Sequence, residues 1–156
     1  MQFEEKKGGA TDINNKNNDD YDKAVEDSVL TYTSEEINNN DLKNGLCVYW
    51  FSNGQKKEEV NFKEGKKNGL LSGWYQNGNK RCEINYINDD KDGLSIYWYQ
   101  NGNKKGEENW ESGLPVGLWT EWHNNGKIYS EGVFRSGILI SKLCWDVSGS
   151  KIECSY

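Results

Sequence analysis

Between residues 50 and 134 the chain alternates apolar and polar positions in short runs interrupted by Asn-Gly, and it writes the same run four times. The copies are WFSNGQKKEEVNF at 50–62, WYQNGNKRCEINY at 74–86, WYQNGNKKGEENW at 98–110 and WHNNGKIYSEGVF at 122–134. Alternation with a period of two predicts strands, and Asn-Gly between two such runs predicts a hairpin. Gly54, Gly78, Gly102 and Gly126 fall 24 residues apart, and so do Gly45, Gly69, Gly93 and Gly117. A unit this small cannot bury its own apolar face and has to stack on its neighbours. The expected fold class is all-β: an elongated antiparallel sheet of tandem 24-residue β-hairpin repeats.

The Asn-Gly turn admits two registers. A two-residue turn at Asn53-Gly54 pairs Leu46 with Asn61, while a three-residue loop, Ser52-Asn53-Gly54, pairs Leu46 with Val60 and Trp50 with Lys56. Register follows the face that is buried, which favours the three-residue loop with Gly54 left-handed. The expected core face then carries Leu46, Leu70, Leu94 and Leu118, the tryptophans Trp50, Trp74, Trp98 and Trp122, and the aromatics at 62, 86, 110 and 134. Glu108 and Gly132 break that column.

The opposite face carries the candidate site. It presents Tyr49, Phe51, Tyr75, Tyr97, Tyr99, Trp119 and His123, beside Lys57, Arg81 and Lys105 and a row of Glu59, Glu83, Glu107 and Glu131. Equivalent residues of successive hairpins recur every ~10 Å. Such a ladder serves cross-strand pairing, and it is equally the composition of a flat protein-binding surface. Both uses are compatible.

The ends of the chain differ from its middle. Residues 1–27 carry INNKNNDDYDK and almost no branched apolar side chains, which predicts a disordered acidic leader. Residues 28–43 read as a degenerate half-repeat or cap, with a β-prone run from Val29 to Thr33 and Glu36-Ile37-Asn38 echoing Glu83-Ile84-Asn85. Residues 44–139 hold the four repeats. Residues 140–156 keep Trp145 and Gly149 in the Trp-x-x-x-Gly spacing and predict an irregular fifth hairpin, for ten strands from five hairpins. The segments KEGKKNG, INDDKDG and ESGLPVG read as loops between repeats.

The first 43 residues hold five basic and eleven acidic side chains, the whole net charge of −6, and the remainder is neutral. Binding to nucleic acid is therefore not expected, and attachment to anionic membranes is disfavoured. No apolar run of signal-peptide or membrane-spanning length occurs, so the chain as written reads as soluble. Cys47, Cys82, Cys144 and Cys154 form no CxxC pair. Cys144 and Cys154 flank one hairpin turn, but four free thiols are the expectation, and these favour a reducing, cytoplasmic compartment.

No catalytic constellation is legible. The single histidine, His123, has asparagine neighbours; no phosphate-binding Gly-rich motif occurs; and adjacent acids such as Glu58-Glu59 point to opposite faces of a strand. Asp89, Asp90 and Asp92 lack the ligand order of a calcium loop and read as a solvated turn. The expectation is no enzyme, no metal and no cofactor.

The unit GLWTEWHNNGKIYSEGVFRSG at 117–137 resembles the MORN repeat variant family, and the resemblance extends over about 110 residues. It implies a non-catalytic hairpin array used for contact with other proteins or membrane-associated structures, and it includes bacterial members similar to antitoxins or immunity proteins that mask a toxin or effector. The leading expectation is a protein–protein interaction module. A glycan- or choline-binding aromatic ladder, a membrane-associated scaffold, and self-association through the sheet face or edges are the alternatives.

Overall fold

The computed structural model describes the backbone of residues 29–32 and residues 43–154, which form one antiparallel sheet of eleven strands. These are β1 (Val29–Tyr32), β2 (Gly45–Trp50), β3 (Lys56–Lys63), β4 (Lys66–Trp74), β5 (Lys80–Ile87), β6 (Asp90–Trp98), β7 (Lys104–Glu111), β8 (Leu114–Trp122), β9 (Ile128–Arg135), β10 (Ile138–Trp145) and β11 (Lys151–Ile152). Each strand pairs only with its neighbours in sequence, so the sheet is a continuous meander. The leader at 1–27 and the Glu36-Ile37-Asn38 echo lie outside the described residues. Strand β1 lies beside β2, with Val29 opposite Trp50, and brings the strands to one more than five hairpins supply.

Two turn types alternate along the meander. At each Asn-Gly the loop has three residues: Phe51 N–H donates to the Gln55 carbonyl at 2.8 Å and Gly54 N–H to the Phe51 carbonyl at 2.9 Å. Gly54 takes a φ of 82°, as the three-residue loop requires. The same pair of bonds recurs at Tyr75, Tyr99, His123 and Asp146. Between repeats, however, there are no loops of the length the sequence suggested. The links are two-residue turns, Glu64-Gly65, Asn88-Asp89, Ser112-Gly113 and Ser136-Gly137, with both residues at positive φ. That turn matches the right-handed twist of its strands, and Asn88 and Asp89 take the left-handed conformation more readily than most residues. The charged residues read as linkers, Lys66 and Lys67 among them, are therefore strand residues.

The register agrees with expectation at the loop and departs from it one residue later. Trp50 lies opposite Lys56, but the next pairs are Tyr49 with Glu58, Cys47 with Val60 and Leu46 with Asn61. Lys57 is the extra residue of a β-bulge. The same bulge falls at Arg81, Lys105 and Tyr129 in the following hairpins. An inserted residue moves every pair beyond it by one position and so exchanges the faces. The expected pairing of Leu46 with Val60, and the core face built on it, are corrected accordingly.

The sheet therefore has two faces of different composition. On one, the tyrosine face, Cys47, Val60, Leu71, Cys82 and Ile84 form a buried cluster, covered by Tyr49, Phe62, Tyr86 and Tyr97. Val60 is 1 % exposed and Cys47 2 %. On the other, the tryptophan face, Leu70 is 42 % exposed and Leu118 49 %. With no second layer, burial on the tyrosine face comes from the cluster's cross-strand pairs, Cys47 with Val60, Val60 with Leu71 and Leu71 with Ile84, and from the rings packed against them. Trp119 stands opposite Gly132 and Tyr97 opposite Gly106. Fully burying a side chain such as Val60 or Leu71 contributes about 1.5–3 kcal/mol.

Candidate functional site

The tryptophan face is occupied by its own contacts. Lys56 bonds Glu59 at 2.6 Å and lies over the Trp74 ring of the next repeat, 5.1 Å from its centroid. Lys80 pairs with Glu83 and lies over Trp98, and Lys104 pairs with Glu107 and lies over Trp122. Hence the Glu59, Glu83, Glu107 and Glu131 row belongs to this face and not to the tyrosine face, and its first three members anchor a lysine–tryptophan ladder. In the fourth repeat Ile128 takes the lysine's place opposite Trp122.

On the tyrosine face the sequence-predicted residues divide into two groups. Tyr75, Tyr99 and His123 directly follow the repeat tryptophan, and each reaches forward one repeat. Tyr75 Oη donates to the Trp98 carbonyl and Tyr99 Oη to the Trp122 carbonyl, both at 2.7 Å, and His123 Nε2 lies 2.9 Å from the Trp145 carbonyl. A carbonyl only accepts, so Nε2 carries the proton. Phe51 holds the same position in the first repeat and has no hydroxyl; Lys57 Nζ lies 5.9 Å from its ring centroid. The loop asparagines add parallel bonds, Asn77 Nδ2 to the Gln100 carbonyl and Asn101 Nδ2 to the Asn124 carbonyl. These groups join hairpin to hairpin.

The second group surrounds a cleft. At the position where repeats one and three carry Tyr49 and Tyr97, the second repeat carries Gly73. A Cβ on Gly73 would stand 2.9 Å from both Arg81 Nη2 and Cys82 Sγ, so the glycine is what lets Arg81 lie across the strand. The cleft is about 200 Å³; its floor is Leu71, Cys82 and Ile84, and its rim includes Tyr75, Tyr86, Tyr97, Arg81, Lys105, Lys67 and Glu58. Arg81 Nη2 reaches Glu58 Oε2 at 3.4 Å. Lys105 Nζ lies 5.6 Å from the Tyr99 ring centroid. Burial pushes the Cys82 thiol above its usual range, with Arg81 opposing that shift, and burial likewise raises Tyr86.

Tyr97 closes one side of the cleft. Lys91 Nζ donates to its hydroxyl at 2.7 Å, and Lys91 also pairs with Glu108 at 3.3 Å. Glu108 in turn accepts from Trp110 Nε1 at 3.0 Å. This accounts for the glutamate in the Val60 and Ile84 column: its carboxylate is paired and bonded at the cluster's edge. Burial first, and the Glu108 charge second, push the Tyr97 phenol well above the ordinary tyrosine range.

Trp119 is set apart from this cleft. It packs at a tilt between Trp110 and Phe134 at centroid distances of 4.8 and 4.5 Å, its Nε1 donates to the Asn109 carbonyl, and it stands opposite Gly132 in the ladder. Tyr49 covers the buried cluster. Thus Tyr75, Tyr97, Arg81 and Lys105 are brought to one cleft, whereas Tyr49, Phe51, Lys57, Tyr99, Trp119 and His123 extend along the face beside it or beyond it. Glu58, Lys67 and Tyr86 were not among the expected site residues, Tyr86 having been expected in the core column. The interruption of the Tyr49, Gly73, Tyr97 column by a glycine was the signal that could have found them.

The last hairpin corrects the cysteine expectation. Cys144 and Cys154 form a disulfide across it, with Cα atoms 5.4 Å apart. Cys144 pairs with Ile152, which places Cys154 at the next position on the same face, near enough to bridge diagonally. Cys47 and Cys82 are free and buried. Among the described residues, no three His, Cys, Asp or Glu side chains are grouped to hold a metal ion, and no helix is long and apolar enough to cross a membrane.

A one-layer meander of tandem hairpins, bonded from each repeat to the next, defines a tandem-repeat module. The MORN repeat variant family matches residues 43–64, 67–88, 91–112 and 115–136, more than half of the chain, and the protein belongs to that family. No curated protein matches the sequence. Among solved structures, the one titled "Crystal Structure of TarM" is similar over 73 % of this chain at 12 % identity, with a TM-score of 0.40. This chain spans 22 % of that one.

Proposed function

We propose that the protein is a protein–protein interaction module that docks a partner on its tyrosine face, centred on the cleft over Gly73. The observation that carries this reading is the combination found there: an apolar floor of Leu71 and Ile84, a rim of three tyrosines, and the cations Lys67, Arg81 and Lys105 beside them. Tyrosine and arginine around a small apolar depression are the composition of interface hot spots. The tryptophan face offers less to a partner, since its lysines are already paired with glutamates and stacked on indoles. The family resemblance supports a toxin or effector as one candidate partner, which the module would mask.

The size of the cleft speaks against enclosure of a drug-sized ligand or an oligosaccharide. Pockets that enclose drug-sized molecules run from about 300 to 1,000 Å³, and this one is about 200 Å³.

Tyr97 and Tyr99 are unsuited as binding probes, because one seals the cluster and the other joins repeats. The test uses Lys67→Glu with Lys105→Glu, and as control Leu70→Ser with Leu94→Ser on the other face, each verified by circular dichroism. A partner captured from the source cell and then purified should bind the lysine variant at least tenfold more weakly, with the leucine variant unchanged. Loss with the leucine variant alone would move the docking surface to the tryptophan face.

A further inference from the structure

We infer that the chain's own acidic segment, residues 19–27, docks along the cationic file Lys57, Arg81 and Lys105 of the tyrosine face. The three file residues are the bulge positions of successive hairpins, all beside the Asn-Gly loops. Strand β1 begins at the same end of the sheet, for its first residue, Val29, lies opposite Trp50. The segment that precedes Val29 therefore starts in line with the file.

Distances along the two match. Strands lie ~4.8 Å apart, so β3, β5 and β7, which carry the file, stand ~10, ~19 and ~29 Å from β1. An extended chain covers ~3.3 Å per residue. Counted back from Val29, Glu26 falls at ~10 Å, Asp22 at ~23 Å and Asp20 at ~30 Å, each close to one member of the file. Residues 19–27, DDYDKAVED, hold five carboxylates and one lysine.

Charge selects the face. From β3 to β7 the strand residues of the tyrosine face include five cations, Lys57, Lys67, Arg81, Lys91 and Lys105, against Glu58 and Glu108. On the tryptophan face the lysines one residue away, Lys56, Lys80 and Lys104, each pair with a glutamate of their own strand. Tethering holds the acidic segment at a high effective concentration, so weak contacts suffice. The inference goes beyond the docking reading, since it needs no foreign partner, but both use one surface, and a partner would have to displace the segment.

The test is zero-length carbodiimide cross-linking of the full chain, with linked residues located by fragment sequencing and intermolecular links detected by mixing ¹⁴N and ¹⁵N protein. The adjacent pairs Lys56/Lys57 and Lys104/Lys105 point to opposite faces and supply an internal control. Links within one chain from Glu26, Asp22, Asp20 or Asp19 to Lys57 and Lys105 are expected. Their yield should fall at least fivefold from about 0.02 M to about 0.5 M salt, as the Debye length shrinks from ~20 to ~4 Å. Absent links, equal yields to Lys56 and Lys104, yields indifferent to salt, or links only between chains would each overturn the inference. None of these outcomes depends on a partner, so a failure here leaves the docking reading to its own test.

Discussion

The phenol of Tyr99 donates its hydrogen to the backbone carbonyl of Trp122, 23 residues further along, at 2.7 Å. The two residues lie in successive hairpins, and the bond spans the strand between them at the loop end. Tyr75 does the same to Trp98, whereas Phe51 cannot reach Trp74 with a donor.

Opposite substitutions at this position should therefore have opposite signs. Tyr99→Phe is expected to lose about 1 kcal/mol, the net worth of one hydrogen bond, and Phe51→Tyr to gain a comparable or smaller amount. Urea midpoints read both. A Phe51→Tyr variant less stable than the parent would show that the first hairpin does not share the geometry of the second and third.

Gly73→Ala places a Cβ 2.9 Å from Cys82 Sγ and Arg81 Nη2. The arginine can swing away but the buried thiol cannot, so the expected cost is about 1–3 kcal/mol. The Arg81–Glu58 contact should be lost as well. Thermal unfolding gives the first effect, and the Arg81 side-chain NMR signal the second. Gly78→Ala is the contrast: its Cβ meets nothing within 4 Å, and any cost there reflects the positive φ of 87°.

Reducing the Cys144–Cys154 bridge opens a loop with a sequence separation of 10. Chain entropy puts its contribution at about 2–3 kcal/mol, and each strand contacts only its neighbours, so the loss should stay local. Hydrogen exchange after reduction, or in Cys154→Ser, should quicken in β10 and β11 and leave β4 to β7 unchanged. Acceleration across the whole sheet would mean that the array unfolds as one unit.

Tyr86 and Tyr97 both have phenols raised above the ordinary value of 10.0 by burial. A group whose folded value is raised adds stability that is fully present below the unfolded value and is lost as pH climbs beyond it. Urea midpoints should consequently hold steady from about pH 8 to about pH 9.5 with respect to these groups and fall above pH ~10. Tyr97→Phe should flatten part of that fall, although it also removes the bond from Lys91.

Much of this architecture was legible because glycine marks it. Gly54 and its three counterparts announced the loops, and the tryptophans before them announced the strands. What sequence could not supply was the bulge. Lys57, Arg81 and Lys105 look like ordinary strand residues, and nothing in their chemistry says that each is the extra residue of a β-bulge. That one extra residue carried the Leu46 column to the exposed face and the Cys47 column to the buried one. The cleft was missed for a related reason, since Gly73 reads as one more glycine unless it is aligned with Tyr49 and Tyr97. The Cys144–Cys154 bridge joins positions that are diagonal across the last hairpin, and spacing alone left them unpaired.

Bonds between neighbouring hairpins run from each loop to the next and span 21 to 23 residues. A coding segment that is duplicated or lost in whole 24-residue steps leaves every such donor facing an equivalent acceptor, while a single-codon insertion orphans all those around it. The length of the array, and with it the number of cations in the file, is thus open to change by recombination in units of one hairpin, without any new turn or core having to be invented.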